Sequence, residues 1–247
     1  MIRVFEDFDQ LSRSAADLFA DQARRAVAAR GRFCVALAGG STPRRTYELL
    51  SRPPSRDQVP WAEVHIFWTD ERCVAEDDPR NNAGMARKAL LERVPLPSGQ
   101  CHSMACAGDP EAAARRYETL LLDFFAPDPP CFDLILLGLG EDGHTASLIP
   151  GTPAPRENDR LALPLQAPGD SFARLSLTVP VINQARCLAF LVSGEKKSAI
   201  LHQVLEGPPG RFPAQLINSE GKDLRWLVDK QAAESLNSKT GLLPGSQ

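Results

Sequence analysis

Short, almost entirely apolar runs alternate along the sequence with longer segments of helical periodicity, and this alternation constrains the fold more than any other feature. The apolar runs predict strands over 33–38, 64–68, 132–137, 174–179, 187–192 and 225–228. Apolar side chains spaced three and four residues apart predict helices over 9–30, 43–50, 82–92, 110–125 and 195–205. Strands that are apolar on both faces and separated by helices are typical of a doubly wound α/β fold with a mainly parallel, Rossmann-like sheet.

The sequence is consistent with a single domain over residues 1–236. No internal repeat is found, and the stretches 150–170 and 207–213, rich in Pro and Gly, predict surface loops. The polar segment 237–247 predicts a frayed tail.

Charge and cysteine usage indicate which classes of partner and which cellular compartment to expect. The 28 basic and 31 acidic residues are interspersed, so no basic surface for nucleic acid or a membrane is expected. The acidic N-terminus does not resemble a signal peptide, and no apolar run reaches a membrane span. The six cysteines form no C-x-x-C pair, and several lie in apolar strand-like runs, as reduced core thiols do, so a cytoplasmic protein is expected. A monomer or a weak homodimer is also expected. The group Cys101, His102 and Cys106 lacks a second ligand pair, so no metal site is expected.

Polar, mostly glycine-containing segments follow four of the predicted strands. They are 39–43, 69–72, 138–145 and 193–197. Ligands of open parallel sheets bind outside the carboxyl ends of the strands. We therefore expect these four segments to form one binding site.

The first segment, Gly-Gly-Ser-Thr-Pro, opens a predicted helix. Backbone N–H groups at a helix N-terminus favour an anion, and Ser41 and Thr42 would add hydroxyl donors beside Gly40. A simple turn in which Ser or Thr caps the helix explains the same residues equally well.

The segment 138–143 matches G-x-G-x-x-G but does not predict a dinucleotide site. A dinucleotide fingerprint opens a long helix, whereas Pro150, Pro153 and Pro155 follow here. The segment instead presents His144, with Asp142 two residues earlier. Histidine exchanges protons at neutral pH, and a neighbouring carboxylate can orient it. A histidine that only caps the following turn is the alternative.

The remaining charged residues point to an anionic substrate. Asp70 and Arg72 would either form a local salt bridge or project together into the site. Lys197 lies near the first turn of a predicted helix, where a cation is unfavourable unless an anion is bound. Arg174 opens a strand, so that strand must run antiparallel to the others if Arg174 is to reach the same edge.

Taken together, the segments resemble the 6-phosphogluconolactonase family. The resemblance rests on ALAGGSTPRRTYELL, VHIFWTDERCV, NNAGMARKALL, FDLILLGLGEDGHTASLIPG, RLSLTVPVIN and VSGEKKSAIL, in matching order over roughly residues 10–230. It implies a deaminase/lactonase-type fold with at least one antiparallel strand. It also implies hydrolysis of 6-phospho-D-glucono-1,5-lactone, a phosphosugar lactone, without metal or cofactor.

The resemblance also implies roles for individual residues. His144 would be the acid/base, with Asp142 as a candidate assistant. Asp70 and Arg72 would belong to the active site, and the phosphate would be bound by Gly40, Ser41, Thr42, Arg174 and Lys197. Ala83 departs from the Tyr that relatives often carry, so the resemblance assigns no role to Asn82 beside it.

Two alternatives share this scaffold. A glucosamine-6-phosphate deaminase would need a glutamate five residues after the histidine, where this sequence has Ile149. A non-catalytic sugar-phosphate sensor would be expected to carry a DNA-binding helix-turn-helix, for which there is no room before Phe33.

Overall fold

The computed structural model describes residues 1–106, 108–218, 221, 223–237 and 242–244. The strands are β1 Ile2–Phe5, β2 Phe33–Leu37, β3 Val64–Trp68, β4 Asp70–Arg72, β5 Leu134–Leu137, β6 Ala162–Gln166, β7 Ala173–Leu177, β8 Cys187–Val192, β9 Asp223–Asp229 and β10 Leu242–Pro244. The α-helices are α1 Phe8–Arg30, α2 Ser41–Leu50, α3 Asn82–Ala89, α4 Pro110–Phe125, α5 Val179–Asn183, α6 Ser198–Glu206 and α7 Lys230–Ala233.

A parallel sheet forms the centre of the molecule, in the order β10-β1-β9-β8-β5-β2-β3. Every residue of β2, β5 and β8 is buried, because these strands lie in the middle of the sheet. The prediction of a doubly wound, mainly parallel α/β sheet is confirmed. It follows from the all-apolar strands, which require cover on both faces.

A smaller antiparallel sheet, in the order β4-β7-β6, adjoins the parallel one. Its strand β4 begins only one residue after β3 ends, and Thr69 is the residue between them. In the β4–β7 register, Asp70 lies opposite Ser176 and Arg72 opposite Arg174. The antiparallel direction that the sequence required for the strand of Arg174 is confirmed.

Three sequence predictions need correction. The stretch 150–170 is not only a loop, because it contains β6; Pro164 is tolerated there because β6 is an edge strand. The strand predicted over 174–179 ends at Leu177, and α5 begins at Val179. The helix predicted from 195 begins at Ser198, after a 3₁₀ turn.

The two ends of the chain meet at one edge of the parallel sheet. Strand β1, which the apolar pattern did not predict, pairs with β9 and with β10. Within the tail predicted to be frayed, 242–244 thus form a strand, while 238–241 and 245–247 lie outside the described residues. The extent of the domain, 1–236, stays a prediction. Among the described residues, no helix combines the length and apolarity needed to cross a bilayer.

Two of the cysteines form a disulfide that the sequence did not predict. Cys73 and Cys106 form a disulfide, with their α-carbons 4.9 Å apart. The loop after β4 and the loop before α4 meet there, a proximity that a separation of 33 residues does not reveal. Cys34 and Cys187 are buried thiols, and burial raises the pKa of each to about 12.

Candidate active site

A cleft of about 490 Å3 opens at the carboxyl ends of the parallel strands. The structure brings all four polar segments together around it. The residues that line it include Gly40, Ser41, Thr42, Asp70, Arg72, Asp142, His144, Ser193 and Lys197. These segments follow β2, β3, β5 and β8, so the parallel arrangement places their ends at one edge.

His144 and Asp142 form a hydrogen-bonded pair at this edge. Nδ1 of His144 lies 2.5 Å from Oδ1 of Asp142, which also accepts from the His144 backbone N–H at 3.2 Å. Burial acts to raise the pKa of Asp142, but the adjacent imidazole and these hydrogen bonds outweigh it and lower that pKa. A carboxylate on Nδ1 fixes the ring so that Nε2 is the nitrogen left to exchange a proton.

Two glycines shape the loop that carries this pair. The N–H of Gly140 donates to the carbonyl of His144 at 2.8 Å, which closes the loop. Gly143 has a φ of 79°, and a β-carbon there would lie 2.5 Å from the ring of Phe212. The glycines therefore form a tight turn behind His144. The match to G-x-G-x-x-G reflects this turn and not a dinucleotide site.

Asp70 is a buried member of a polar network at the floor of the cleft. Its Oδ2 accepts from the hydroxyl of Ser147 at 2.7 Å, and its Oδ1 accepts from Nδ2 of Asn82 at 3.3 Å. Asn82 also donates to the backbone carbonyl of Asp70 at 2.9 Å. The structure thus gives Asn82 and Ser147 a role in positioning Asp70. Sequence reasoning missed Ser147, although it lies three residues after His144.

Arg72 lines the cleft, and not all of its hydrogen-bond donors have a partner among the described residues. Its Nη1 donates to the carbonyl of Arg80 at 2.8 Å. Its Nε is buried, and within the described part of the chain no acceptor takes a hydrogen bond from it. The local salt bridge considered from the sequence is not what holds Arg72, since Asp70 bonds to neutral partners instead. Arg72 thus lines the cleft with no carboxylate of the described residues paired to its guanidinium.

The first turn of α2 is uncapped by side chains. Gly40 is the N-cap, with a φ of 101° and no side-chain cap hydrogen bond, and Ser41 is the first helical residue. The alternative in which Ser or Thr caps this helix is wrong. The N–H groups of the first turn are thus free of side-chain caps beside the cleft, where the helix dipole favours an anion. Lys197 also lines the cleft, whereas its neighbour Lys196 does not.

Arg174 does not line the cleft. Its guanidinium pairs with Asp170 at 2.7 Å and lies 5.4 Å from the ring centre of Phe172. Both partners belong to the turn between β6 and β7, and they hold the side chain there. In the β4–β7 register Arg174 lies opposite Arg72, which lines the cleft, and its phosphate-binding role stays a prediction.

Glu71 is a buried carboxylic acid on the opposite face of β4 from Asp70 and Arg72. It is 1% exposed and accepts backbone N–H bonds from Arg72, Asn82 and Ala83, at 2.7, 2.7 and 2.8 Å. Burial raises its pKa to about 7, against the lowering effect of those bonds. Glu71 anchors the start of α3 to β4 and thereby fixes Asn82. Sequence reasoning did not single it out, because nothing in a T-D-E-R run tells the buried carboxylate from its neighbours.

The chain is similar to several known proteins, in sequence and in structure. A family model described as glucosamine-6-phosphate isomerases/6-phosphogluconolactonase matches residues 6–226. A 6-phosphogluconolactonase of Synechocystis sp. is 45% identical over 218 residues, which cover 86% of this chain and 88% of that protein. One of Mycobacterium tuberculosis is 39% identical over 246 residues, covering 96% and 98%. The solved 6-phosphogluconolactonase from Trypanosoma cruzi superimposes with a TM-score of 0.84 at 27% identity, covering 96% of each chain.

Proposed function

Because the chain belongs to the glucosamine-6-phosphate isomerase/6-phosphogluconolactonase family, we propose that it hydrolyses 6-phospho-D-glucono-1,5-lactone to 6-phospho-D-gluconate in the oxidative pentose phosphate pathway. The observation that carries the proposal is the His144–Asp142 pair, which lies in the same cleft as Lys197 and the uncapped start of α2. A proton-transfer group and an anion site in one cleft are what a phosphorylated lactone requires. A cytoplasmic setting and a monomer or weak homodimer stay predictions from the sequence.

In this proposal, an anion site in the cleft holds the phosphate end of the substrate. The phosphate is held by the ammonium of Lys197 and by the first-turn N–H groups of α2, at Ser41 and Thr42. The hydroxyls of Ser41 and Thr42 supply further donors. This remote binding energy orients the lactone carbonyl relative to His144. Gly40 lets the backbone enter the turn with positive φ.

The chemical step is a water addition followed by ring opening. Nε2 of His144 takes a proton from a water molecule as its oxygen bonds to C1. The carbonyl electrons move to the exocyclic oxygen, and the Arg72 guanidinium stabilises that oxyanion. Collapse of this tetrahedral intermediate breaks the bond from C1 to the ring oxygen. The imidazolium returns its proton to that oxygen, which yields the hydroxyl of the open-chain acid. Asp142 stabilises the imidazolium between the two proton transfers.

The deaminase alternative finds no support in the site. Ile149, at the position where a glutamate is expected, is 8% exposed and belongs to the hydrophobic core. It cannot relay protons to an amine. A non-catalytic sugar-phosphate sensor would not require the hydrogen-bonded His144–Asp142 pair.

The proposal is tested by generating the lactone in situ with glucose-6-phosphate dehydrogenase and following its disappearance. The wild-type protein is expected to exceed the spontaneous rate, and His144→Ala to lower kcat by about 10²–10⁴-fold. His202→Ala is the matched control, since His202 lies on α6 and pairs with Glu206. A wild-type rate equal to the spontaneous one would overturn the proposed function, and near-wild-type turnover of His144→Ala would remove the histidine from it.

A further inference from the structure

The loop between β4 and α3 joins two residues that shape the catalytic cleft. It covers residues 73–81, directly after Arg72 and directly before Asn82. Arg72 lines the cleft, and Asn82 donates to the backbone carbonyl and to the carboxylate of Asp70. Nη1 of Arg72 also donates to a carbonyl of this loop, that of Arg80, at 2.8 Å. The position of the loop therefore affects how the side chain of Arg72 is held.

The loop has few buried contacts to fix it in place. It consists of turns, and residues 75–80 are mostly exposed. The N–H of Cys73 donates to the carbonyl of Ala173 at 2.8 Å, and the guanidinium of Arg80 lies 4.9 Å from the ring centre of Phe172. Exposed segments with few buried contacts are the ones that open most readily in a folded protein. A further constraint on this loop would thus have a large effect on its mobility.

The Cys73–Cys106 disulfide supplies such a constraint. It ties the loop to the segment before α4, and it does so at the residue next to Arg72. Both cysteines are partly exposed, and both line a cavity of about 590 Å3 behind β4. Disulfides that are accessible to thiols are typically the labile or regulatory ones, whereas inaccessible ones are structural.

The other cysteines of the chain are thiols. They are Cys34, Cys101, Cys131 and Cys187. The sequence predicts a cytoplasmic protein, and the disulfides of cytoplasmic proteins are usually redox-sensing or catalytic rather than structural. Of the six cysteines, the two that are bonded are those that hold the loop beside Arg72.

We propose that the Cys73–Cys106 disulfide is a redox switch of the catalytic cleft, which a dithiol opens and thereby slows the chemical step. One thiolate of the dithiol attacks a sulfur of the bond, forms a mixed disulfide and releases the other cysteine as a thiolate. The second thiol of the reagent then attacks the mixed disulfide. The reagent leaves as a cyclic disulfide, oxidised by two electrons, and its two protons end on the two cysteines.

The released loop transmits the change to the cleft. Once the bond is open, the carbonyl of Arg80 is no longer fixed against Nη1 of Arg72, so the guanidinium loses its position in the cleft. This inference rests on the role proposed for Arg72 in stabilising the oxyanion. Lys197 and the start of α2 hold the other end of the substrate in that proposal. The switch should therefore act on kcat and not on KM.

The test compares oxidised and reduced protein in the in situ lactone assay. Protein purified without reductant is treated with dithiothreitol under native conditions, and the mass after thiol alkylation establishes that the bond is open. The reductant is removed before the dehydrogenase is added. Reduction is expected to lower kcat on the order of tenfold, because a displaced guanidinium stabilises the transition state less well. KM should stay nearly unchanged, and reoxidation should restore kcat.

Four variants separate the switch from other effects of reduction. Cys73→Ser and Cys106→Ser should have the lowered kcat without reductant and should not respond to it. Cys131→Ser is the matched control, because Cys131 is a partly exposed thiol that donates to the carbonyl of Gln184, and it should behave as the wild type does. Arg72→Ala should lose no further kcat on reduction, since both changes act through the same guanidinium. Circular dichroism melting establishes that each variant is folded.

Hydrogen exchange gives a readout that does not depend on activity. The N–H groups of Asp78 and Asn81 donate within the loop, at 3.0 and 2.9 Å, and reduction should speed their exchange by about tenfold. The amides of α6 should keep their rates. A wild type that does not exceed the spontaneous rate, but whose loop exchanges faster on reduction, would overturn the proposed function and leave the redox release of the loop established.

The switch is overturned by any of four results. Dithiothreitol may leave the bond intact unless the protein is denatured, or the loop may exchange equally fast in both states. Reduced and oxidised wild type may have the same kcat, or Arg72→Ala may respond to reduction as the wild type does.

Discussion

The imidazole of His144 lies against the α-carbon of Gly140, in the space that a side chain at position 140 would need. A β-carbon built on Gly140 would be 2.2 Å from Nδ1 of His144 and 2.7 Å from Oδ1 of Asp142. Gly140 is therefore required for space rather than for an unusual φ, in contrast to Gly143. The glycine and the histidine–aspartate pair form one unit of the proposed mechanism.

Gly140→Ala should displace the imidazole and lower kcat by about 10- to 100-fold, since a shift on the order of 1 Å in a catalytic group has such an effect. The measurement is kcat in the in situ lactone assay, with a thermal melt to establish folding. Gly138→Ala is the control, because a β-carbon there would meet no atom within 4 Å. Equal activities of the two variants would contradict the role given to Gly140.

Asp142→Asn should lower kcat by roughly 10- to 10³-fold, because the variant keeps the shape of the side chain but loses the charge that stabilises an imidazolium. Glu141→Gln removes a neighbouring carboxylate that also lines the cleft, and it should retain near-wild-type kcat. If Asp142→Asn turned over as fast as Glu141→Gln, His144 would act without its partner.

Lys197→Ala should lower kcat/KM by about 10- to 100-fold, the loss expected for a charge-assisted bond to phosphate. The effect should appear mainly in KM, because Lys197 is assigned to the unreactive end of the substrate. Lys196→Ala is the matched control, since this side chain is exposed and does not line the cleft. The assignment fails if both lysine variants give the same kcat/KM.

Glu71→Gln should flatten the pH dependence of stability between about pH 5 and pH 7. The unfolded chain loses the Glu71 proton near 4.5, whereas the folded protein holds it until about 7. Since the folded state binds more protons in this window, the wild-type free energy of unfolding falls as pH rises, by a total on the order of 3 kcal/mol. Urea unfolding at pH 5 and pH 8 measures the difference.

The glutamine variant has no proton to lose, so it should lack that decrease. Loss of N–H acceptors adds an offset that is constant with pH. Parallel curves for wild type and variant would show that Glu71 titrates normally in the fold.

The parallel sheet and the location of the cleft could be predicted from the sequence for a physical reason. Runs such as Phe33–Leu37 and Leu134–Leu137 are apolar on both faces, which admits few folds, and polar turns must then collect at one edge. That rule places His144, Lys197 and the start of α2 at one edge, while the roles expected for them came from the family resemblance.

The errors concern contacts that depend on side-chain partners rather than on pattern. Arg174 has the expected strand direction, but no pattern in the sequence predicts its contacts with Asp170 and Phe172. The Cys73–Cys106 bond depends on two loops whose paths no periodicity describes. Strand β6 was missed because Pro164 and its glycine- and proline-rich surroundings are typical of a loop.

Thr69 has a consequence for how this fold can vary in length. It is fully buried between the two sheets: its N–H and hydroxyl donate to the carbonyl of Leu37 at 2.9 and 3.2 Å, and its carbonyl accepts from the N–H of Leu177 at 2.8 Å. A residue inserted or deleted here would turn Arg72 away from the cleft and Glu71 toward it, because side-chain direction alternates with every position. The single residue between β3 and β4 thus determines which side chains of β4 face the cleft and which face the interior behind it.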